Sequence, residues 1–316
     1  MKVFGPIPSR RLGQSLGINN IPPKICSYGC QYCQVGKSIK MSIKRTCYYT
    51  PEKLVETVDK KVNSAKSFNE KIDYLTFVPD GEPTLDIHLA KEIELLKPLR
   101  IKIAVITNSS LLWREDVRND LSQADLVSVK VDALDEKIWR KINHPVKELQ
   151  FDDMLEGILK FSEGYNGKLI TETMLVKGVN DNIEHIQKVT DFISRINPDR
   201  AYLAIPIRPP AFKTVKAPDE SVINNSFQIF SSKIRNVEYL VGYEGNAFAF
   251  TGNAEEDILS ITAVHPMRED AIEELLKKGH SNKNILKNLM ASGKIVEAQY
   301  ERRKFYIRKL NNGIEV

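Results

Sequence analysis

The sequence has no long apolar run and little cysteine. No segment approaches the roughly 18 consecutive apolar residues of a membrane-spanning helix, and the first residues, from Met1 to Pro6, lack the apolar run of a secretory signal. Four cysteines in 316 residues are too few for a disulfide scaffold. The 46 Lys and Arg nearly balance the 41 Asp and Glu, so neither a basic nor an acidic tail is present. We therefore expect a cytoplasmic protein with no membrane partner.

The composition is that of an ordinary globular chain. Hydrophobic residues make up 42% and charged residues 28% of the sequence, which excludes collagen and intrinsic disorder. A chain of this length can bury a large core and forms one large domain or two smaller ones.

The cysteines are clustered. Three of the four fall within eight residues: Cys26, Cys30 and Cys33. In a reducing compartment this spacing indicates metal or redox chemistry, because thiolates on one loop can reach a single soft centre. Three buried apolar thiols are the less favoured alternative, since the loop follows Pro22-Pro23 and contains Gly29. The fourth cysteine, Cys47, is interpreted as a buried inert thiol rather than as a hydrogen donor or an auxiliary ligand.

Two kinds of metal site fit such a trio. A structural zinc site would need a fourth ligand, either Cys47 or a distant histidine, and the five histidines show no paired i,i+4 spacing. A cubane iron–sulfur cluster held by three thiolates would leave one iron open.

The pattern C-x3-C-x2-C, with the aromatic Tyr32 directly before the third cysteine, resembles the signature of the radical S-adenosylmethionine (SAM) enzymes. The resemblance implies that Cys26, Cys30 and Cys33 hold a [4Fe-4S] cluster whose fourth iron binds SAM. It also implies an electron donor such as ferredoxin or flavodoxin, reductive cleavage of SAM to a 5'-deoxyadenosyl radical, and hydrogen abstraction from a substrate. Tyr32 would lie against the adenine, and no catalytic residue beyond these is assigned.

The apolar patterns predict alternating strands and helices, the mark of an α/β fold with a parallel sheet. The predicted strands are 15–20, 74–78, 101–106, 126–131, 168–176 and 201–205, and the predicted helices are 51–65, 87–96, 113–121 and 182–196. About six βα units favour an incomplete barrel over a closed one of eight. The partial (β/α)6 barrel implied by the resemblance has this number of units.

Polar residues follow the predicted strands at the edge where ligands bind in such folds. The segment 79–84 resembles the Gly-Gly-Glu-Pro motif of the radical SAM enzymes, with Asp80 in place of the first glycine, and implies that Gly81, Glu82 and Pro83 contact the amino group of SAM. The alternative is a Pro-Gly turn with a solvated Glu82.

Later strands supply further candidates by the same resemblance. The residues implied to bind the ribose or the carboxylate of SAM are Asn108, Ser128, Lys130 and Glu172. Asn108 could instead cap a helix and Lys130 could be an exposed strand residue. Arg208 is a candidate clamp for a carboxylate or phosphate, or else a surface arginine.

The run from Pro8 through Gln34 is similar to a group of radical SAM proteins related to the tRNA-modifying wyosine synthases, a likeness that spans about 1–210. No cysteine precedes Cys26, so the second cluster and the pyruvate chemistry of those enzymes are not implied here. A possible RNA or protein substrate follows from this resemblance, while the sequence itself does not identify it.

The pattern of predicted elements differs near the carboxyl terminus. We predict a barrel domain at 1–240, a linker at 241–258 and a small winged-helix-like module at 259–316, built from two helices and a hairpin. This module suggests an alternative function, a metal- or cluster-sensing DNA-binding regulator. The segment 282–292 carries only Lys283 and Lys287, with Arg302, Arg303 and Lys304 on the supposed wing, which is a modest basic patch for a DNA reader.

Overall fold

An eight-stranded sheet dominates the computed structural model, which describes residues 2–240, 242, 245–282 and 284–309. The strands in chain order are β1 (Val3–Ser9), β2 (Gly13–Ile18), β3 (Ile25–Cys26), β4 (Lys40–Met41), β5 (Tyr74–Phe77), β6 (Lys102–Thr107), β7 (Leu126–Lys130), β8 (Lys168–Met174), β9 (Arg200–Ala204), β10 (Val237–Leu240), β11 (Met267–Arg268), β12 (Ile295–Tyr300) and β13 (Arg303–Arg308). The helices are α1 (Pro51–Ser67), α2 (Leu89–Leu96), α3 (Glu115–Leu121), α4 (Glu136–Asn143), α5 (Phe151–Gly164), α6 (Ile183–Ile196), α7 (Glu220–Ser231), α8 (Ala254–Val264), α9 (Glu269–Lys278) and α10 (Asn284–Ala291).

The large sheet has the order β1-β2-β5-β6-β7-β8-β9-β10. β1 and β2 are antiparallel, and every later neighbour in the sheet is parallel. All six predicted strands are present within one or two residues of their ends, and the prediction of an α/β partial barrel is confirmed. The structure adds two unpredicted strands to this sheet, β1 at one edge and β10 at the other.

The two faces of the sheet bury different side chains. The outer face packs against the helices, as when α1 places Leu54, Val58 and Val62 in the main hydrophobic core. The concave face is closed at the amino-terminal ends of the strands by a small apolar cluster: Leu12, Ala104, Leu126, Ile170 and Tyr202. The carboxyl ends of the strands are left for polar residues.

Residues from α8 onward form a second unit with its own apolar core, which includes Ile258, Ile272 and Leu275. Its three strands pair antiparallel in the order β11-β13-β12. The two predicted helices and the predicted hairpin are present as α9, α10 and β12–β13. The predicted boundary at 259 falls inside α8, while 241, 243, 244, 283 and 310–316 lie outside the described residues. The winged-helix assignment stays a prediction.

Among the described residues, no helix is both long and apolar enough to cross a membrane.

Candidate active site

A cavity of about 290 Å³ opens at the carboxyl ends of the parallel strands. It is lined by most of the residues that the sequence predicts for the site: Cys26, Cys30, Tyr32, Cys33, Gly81, Glu82, Asn108, Lys130 and Glu172. These residues come from the loop after β2 and from the ends of β5, β6, β7 and β8. The partial barrel therefore brings together side chains that are up to 146 positions apart in the chain, counting from Cys26 to Glu172.

Two predicted residues do not line this cavity. Pro83 is buried at the start of a 3-10 turn, and its carbonyl accepts a hydrogen bond from Asn20 at 3.1 Å. Ser128 lies within β7, two residues before Lys130 and on the same face. Because a strand rises about 3.3 Å per residue, Ser128 lies roughly 7 Å deeper in the barrel than Lys130, and it is only 1% exposed.

The three clustered cysteines are free thiols beside one another. Burial raises the pKa of all three, to about 12 for Cys30, and repulsion by neighbouring thiolates adds to the shift at Cys26 and Cys30. Asn108 Nδ2 lies 3.4 Å from Cys26 Sγ, and Asn143 Nδ2 lies 3.4 Å from Cys30 Sγ. These amides donate to sulfur, so the pocket supports thiolates once a cationic centre neutralises them.

A cubane cluster fits this donor set. In a cubane each thiolate binds a different iron, so the sulfurs stand farther apart than the ligands of one tetrahedral ion. Among the described residues, no group of three or more His, Cys, Asp or Glu side chains is placed to hold a metal ion. Cys47 does not line the cavity, and it is exposed rather than buried, so that part of its interpretation was wrong.

The cysteine loop is fixed by the end of α4. The backbone N–H of Gly29 donates to the Asn143 carbonyl at 3.0 Å, and that of Gln31 donates to the Ile142 carbonyl at 3.0 Å. Tyr32 lines the cavity with its ring, while its hydroxyl donates to Asp132. The loop and its aromatic side chain are thus held in place by protein contacts alone.

Glu82 links two segments of the site through hydrogen bonds. Its carboxylate accepts hydrogen bonds from the backbone and hydroxyl of Thr84 at 3.1 and 2.6 Å, from the Thr107 hydroxyl at 2.7 Å, and from the Asn108 backbone at 2.7 Å. Burial raises the pKa of Glu82, and these four donors act against the shift. The carboxylate joins the loop after β5 to the end of β6 and so positions Asn108 beside Cys26.

Gly81 makes the closest backbone contact of the motif. A Cβ atom at this position would lie 1.9 Å from the Ile25 carbonyl oxygen, which accepts a hydrogen bond from the Glu82 N–H at 3.2 Å. The glycine is therefore required for packing the motif against the cysteine loop, next to Cys26.

Asp80, the residue that replaces the first glycine of the motif, faces the cavity with an unusual carboxylate. It is 3% exposed, and neither of its oxygens accepts a hydrogen bond from a described residue. Lys24 Nζ lies 3.6 Å from Oδ1, and burial raises the pKa of Asp80 to about 6 despite this neighbour. A buried carboxylate with open acceptor sites suits a ligand that brings positive charge or N–H donors.

Lys130 and Glu172 belong to a charged network inside the barrel. Lys130 Nζ donates to Glu172 Oε1 at 2.7 Å, and Arg11 pairs with the other oxygen of the same carboxylate. Lys130 Nζ also lies 4.9 Å from the centre of the Tyr32 ring, and burial lowers the pKa of this lysine. Glu172 thus has the cationic partners that an inward-facing carboxylate needs.

The sequence patterns missed or undervalued several residues of the site. Arg11 precedes the first predicted strand, where it could equally bind an anionic substrate or be solvated. Asp132 follows the fourth predicted strand but was not chosen as a ligand, and Asn143 gave no local signal. Arg208, for which a surface position was weighed, lines the cavity, is only 8% exposed and hydrogen-bonds Gln34. The sequence did single out Arg208, as a candidate anion clamp, and Asp80, by its departure from the glycine motif.

The comparisons with known proteins agree with this geometry. The model of the radical SAM superfamily matches residues 20–193, more than half of the chain. The chain belongs to the radical SAM superfamily. It is an enzyme, and its partial barrel is the fold that this superfamily uses.

Three relatives illustrate the likeness. The UPF0026 protein MJ1312 of Methanocaldococcus jannaschii is 50% identical over 311 residues, which cover 98% of this chain and 96% of that protein. TYW1 with a lysine-pyruvate adduct bound has a TM-score of 0.55 at 17% identity, over 71% of this chain and 76% of that one. A radical SAM methyltransferase of Sphaerobacter thermophilus has a TM-score of 0.56 at 16% identity, over 72% and 66%. The two structural likenesses concern the fold alone.

Proposed function

We propose that this enzyme binds a [4Fe-4S] cluster through Cys26, Cys30 and Cys33 and binds SAM in the adjoining cavity. The observation that carries the proposal is the meeting of three half-buried thiols with most of the predicted SAM contacts in one cavity. When bound, the reduced cluster supplies the electron that cleaves SAM to methionine and a 5'-deoxyadenosyl radical. The radical abstracts hydrogen from a substrate, for which RNA and protein are the candidates.

The residues of this chain have distinct tasks in that reaction. The carboxylate of Asp80 and the adjoining backbone of Gly81 receive the ammonium group of SAM, because neither oxygen of that carboxylate accepts a hydrogen bond from a described residue. Lys130 attracts the carboxylate of SAM. Glu172, which Lys130 and Arg11 hold in place, accepts a hydrogen bond from a ribose hydroxyl. The ring of Tyr32 forms an apolar surface for the adenine. Asn108 orients Cys26 through its amide.

The direct test is the production of 5'-deoxyadenosine. Protein reconstituted anaerobically with iron and sulfide, then given SAM and dithionite, should release it together with methionine. A fully assembled cluster that yields no 5'-deoxyadenosine would contradict the proposal and favour a sensory role. Label transferred from deuterated RNA or protein into 5'-deoxyadenosine would then identify the substrate class.

The division of the chain is part of the same proposal. The barrel domain generates the radical, and the unit beyond α8 recruits or covers the substrate as a winged-helix-like module. The DNA-binding alternative is less favoured, because α10 carries a single basic residue, Lys287.

A further inference from the structure

A short surface strand lies directly against a predicted cluster ligand. β4 (Lys40–Met41) pairs in parallel with β3 (Ile25–Cys26), with Met41 opposite Cys26. The Ser42 N–H donates to the Cys26 carbonyl at 3.1 Å. Paired strands are about 4.8 Å apart, so the backbone of β4 is one strand spacing from that of Cys26. An electron arriving at this surface has only a short distance to cross to the thiolate ligand.

The segment around β4 carries charge of one sign. Residues 34–50 contain four basic residues and no acidic residue. Arg45 is engaged by Asp116 and Asp120. The other three, Lys37, Lys40 and Lys44, are exposed, and none of them forms an ion pair with a described residue. Positive charge therefore remains available to a partner beside the cysteine loop.

Apolar side chains lie between these lysines. Ile39 is 63% exposed, the highest value of any large hydrophobic side chain in the described part of the chain, and Met41 is 40% exposed. An exposed apolar centre rimmed by charge is typical of protein contact sites. We name this surface the 37–44 strip and define it by Lys37, Ile39, Lys40, Met41 and Lys44.

We propose that the 37–44 strip docks an acidic one-electron carrier protein that reduces the cluster. The inference rests on the proposed function, in which the oxidised cluster must receive one electron from outside before it can cleave SAM. In the docked pair one electron passes from the reduced carrier to the oxidised cluster, so the carrier is oxidised by one electron and the cluster is reduced by one.

The chemistry of the strip favours this partner. Complementary charge accelerates the encounter of two proteins, and electron-transfer complexes bury less surface than stable ones, commonly under about 1,200 Å². A small lysine-rimmed strip is therefore sufficient. The three lysines have no acidic partner among the described residues, and an acidic carrier would supply one.

The test compares two electron sources for the same enzyme. The triple variant Lys37→Glu, Lys40→Glu, Lys44→Glu is assayed for 5'-deoxyadenosine with reduced flavodoxin and, separately, with dithionite, which needs no docking site. We expect the flavodoxin-driven rate to fall about tenfold or more at low salt, with a smaller difference at high salt. The dithionite-driven rate and the cluster absorbance should equal those of the parent.

A matched variant controls for net charge. Lys97→Glu, Lys102→Glu and Lys168→Glu change three exposed lysines near the amino-terminal ends of β6 and β8, away from the cavity. This variant should keep the flavodoxin-driven rate of the parent. An equal loss in both variants would mean that total charge, not the strip, controls the rate, and would overturn the proposal.

The remaining outcomes separate the two proposals. A parent protein that makes no 5'-deoxyadenosine with dithionite contradicts the proposed function itself. A parent that turns over with dithionite but not with flavodoxin, or a strip variant with an unchanged flavodoxin-driven rate, overturns the docking site alone. If that variant instead loses binding to polyuridine RNA or loses a dimer of the parent, the strip belongs to RNA or to a second copy of the chain.

Discussion

Two asparagine amides show how this site stabilises its thiols. Asn108 follows β6 and Asn143 ends α4, and each donates to the sulfur of one cysteine in the loop. N–H···S hydrogen bonds stabilise the charge on a thiolate ligand and tune the potential of an iron–sulfur cluster. The proposed cluster would supply the positive charge that stabilises all three thiolates, so we expect the loss of one of these ligands to be severe.

We expect Cys30→Ala to lose both the visible absorbance of the cluster and SAM cleavage, because two thiolates hold a cubane poorly. Cys47→Ala is the matched control, since Cys47 is exposed and lies outside the cavity. It should retain the absorbance and the release of 5'-deoxyadenosine. Retained cleavage in Cys30→Ala would reject the assignment of the ligands.

Asp80→Asn tests the open carboxylate of the cavity. We expect SAM to bind the cluster-loaded protein about tenfold more weakly, equivalent to about 1.4 kcal/mol, because the variant lacks the negative charge that meets the ammonium group. Calorimetry under anaerobic conditions measures the affinity. The melting temperature should change little, since the variant loses only the long ion pair with Lys24 at 3.6 Å, and neither Asp80 oxygen accepts a hydrogen bond from a described residue. Unchanged affinity would show that this carboxylate does not face the ligand.

A buried acid outside the cavity predicts a pH dependence of stability. Glu92 is fully buried, neither carboxyl oxygen has a hydrogen-bond partner among the described residues, and burial followed by the nearby Asp86 raises its pKa from 4.5 to about 9. The folded state therefore favours the protonated acid. Its contribution to stability is complete below about pH 4.5 and is lost as the pH rises towards 9.

The neutral variant Glu92→Gln should remove this dependence. At pH 8.5 we expect it to be more stable than the parent by about 1–3 kcal/mol, with a much smaller difference at pH 5. Thermal melts of both proteins at the two pH values measure the change. Parallel melting curves across this range would contradict the raised pKa.

At the scale of elements, the motif after β5 can contact the cysteine loop only because Gly81 has no side chain. In Gly81→Ala the new Cβ would meet the Ile25 carbonyl, a backbone atom that cannot move aside without displacing Cys26. We expect incomplete cluster assembly, measured as iron bound per chain, and a loss of stability of about 2–4 kcal/mol.

Gly164→Ala is the control for that variant. Apart from its chain neighbours and the backbone of its own helix, no atom of a described residue lies within 4 Å of the Cβ position at Gly164, at the end of α5. This variant should bind iron as the parent does, with stability equal or slightly higher. Full cluster occupancy in Gly81→Ala would mean that the loop tolerates the displacement.

The strands that the sequence predicts are those with continuous buried β-branched runs, such as β6 and β7. β1 was missed because Gly5, Pro6 and Pro8 indicate a loop, yet the strand forms at a sheet edge, where proline is tolerated. β10 has only four residues, none of them fully buried, so its pattern is weak. The pairing of β3 with β4, which exposes the 37–44 strip, involves two residues on each side and has no sequence signature.

The site residues, too, were predictable only where their signal is local in the sequence. The cysteine trio and the motif around Gly81 are local in sequence and were predictable. The pairing of Arg11 with Glu172 joins residues 161 positions apart and depends on the curvature of the whole sheet. Ser128 was predicted by its position near a strand end, but the depth of a residue within a barrel follows from the register of neighbouring strands.

At the scale of the molecule, the carboxyl-terminal unit contributes to the cavity of the barrel. Val264, the last residue of α8, lines the cavity, and its carbonyl accepts a hydrogen bond from Gln34, next to Cys33. On the hairpin, the Tyr300 hydroxyl donates to the Pro206 carbonyl at 3.0 Å, in the loop that also carries Arg208. Movement of this unit would therefore change the wall of the site.

One buried ion pair joins the two units. Lys61 of α1 donates to Asp257 of α8 at 2.7 Å, and Asp257 is only 1% exposed. In Asp257→Asn the partly buried ammonium of Lys61 loses its anionic partner, so we expect a loss of about 1–3 kcal/mol, less than for a fully buried pair. Because the pair holds α8 against the barrel, hydrogen exchange should quicken in α8 and in β12–β13 before it changes in β5–β8. SAM should bind more weakly as Val264 loses its fixed position.

The control variant is Glu255→Gln, which removes an exposed ion pair with Lys294 on the same unit. It should leave both the hydrogen exchange and the SAM affinity unchanged, since exposed pairs contribute little to stability. If exchange in the barrel strands and in α8 rose together, the two units would unfold as one, and the joint at Asp257 would have no separate role in shaping the cavity.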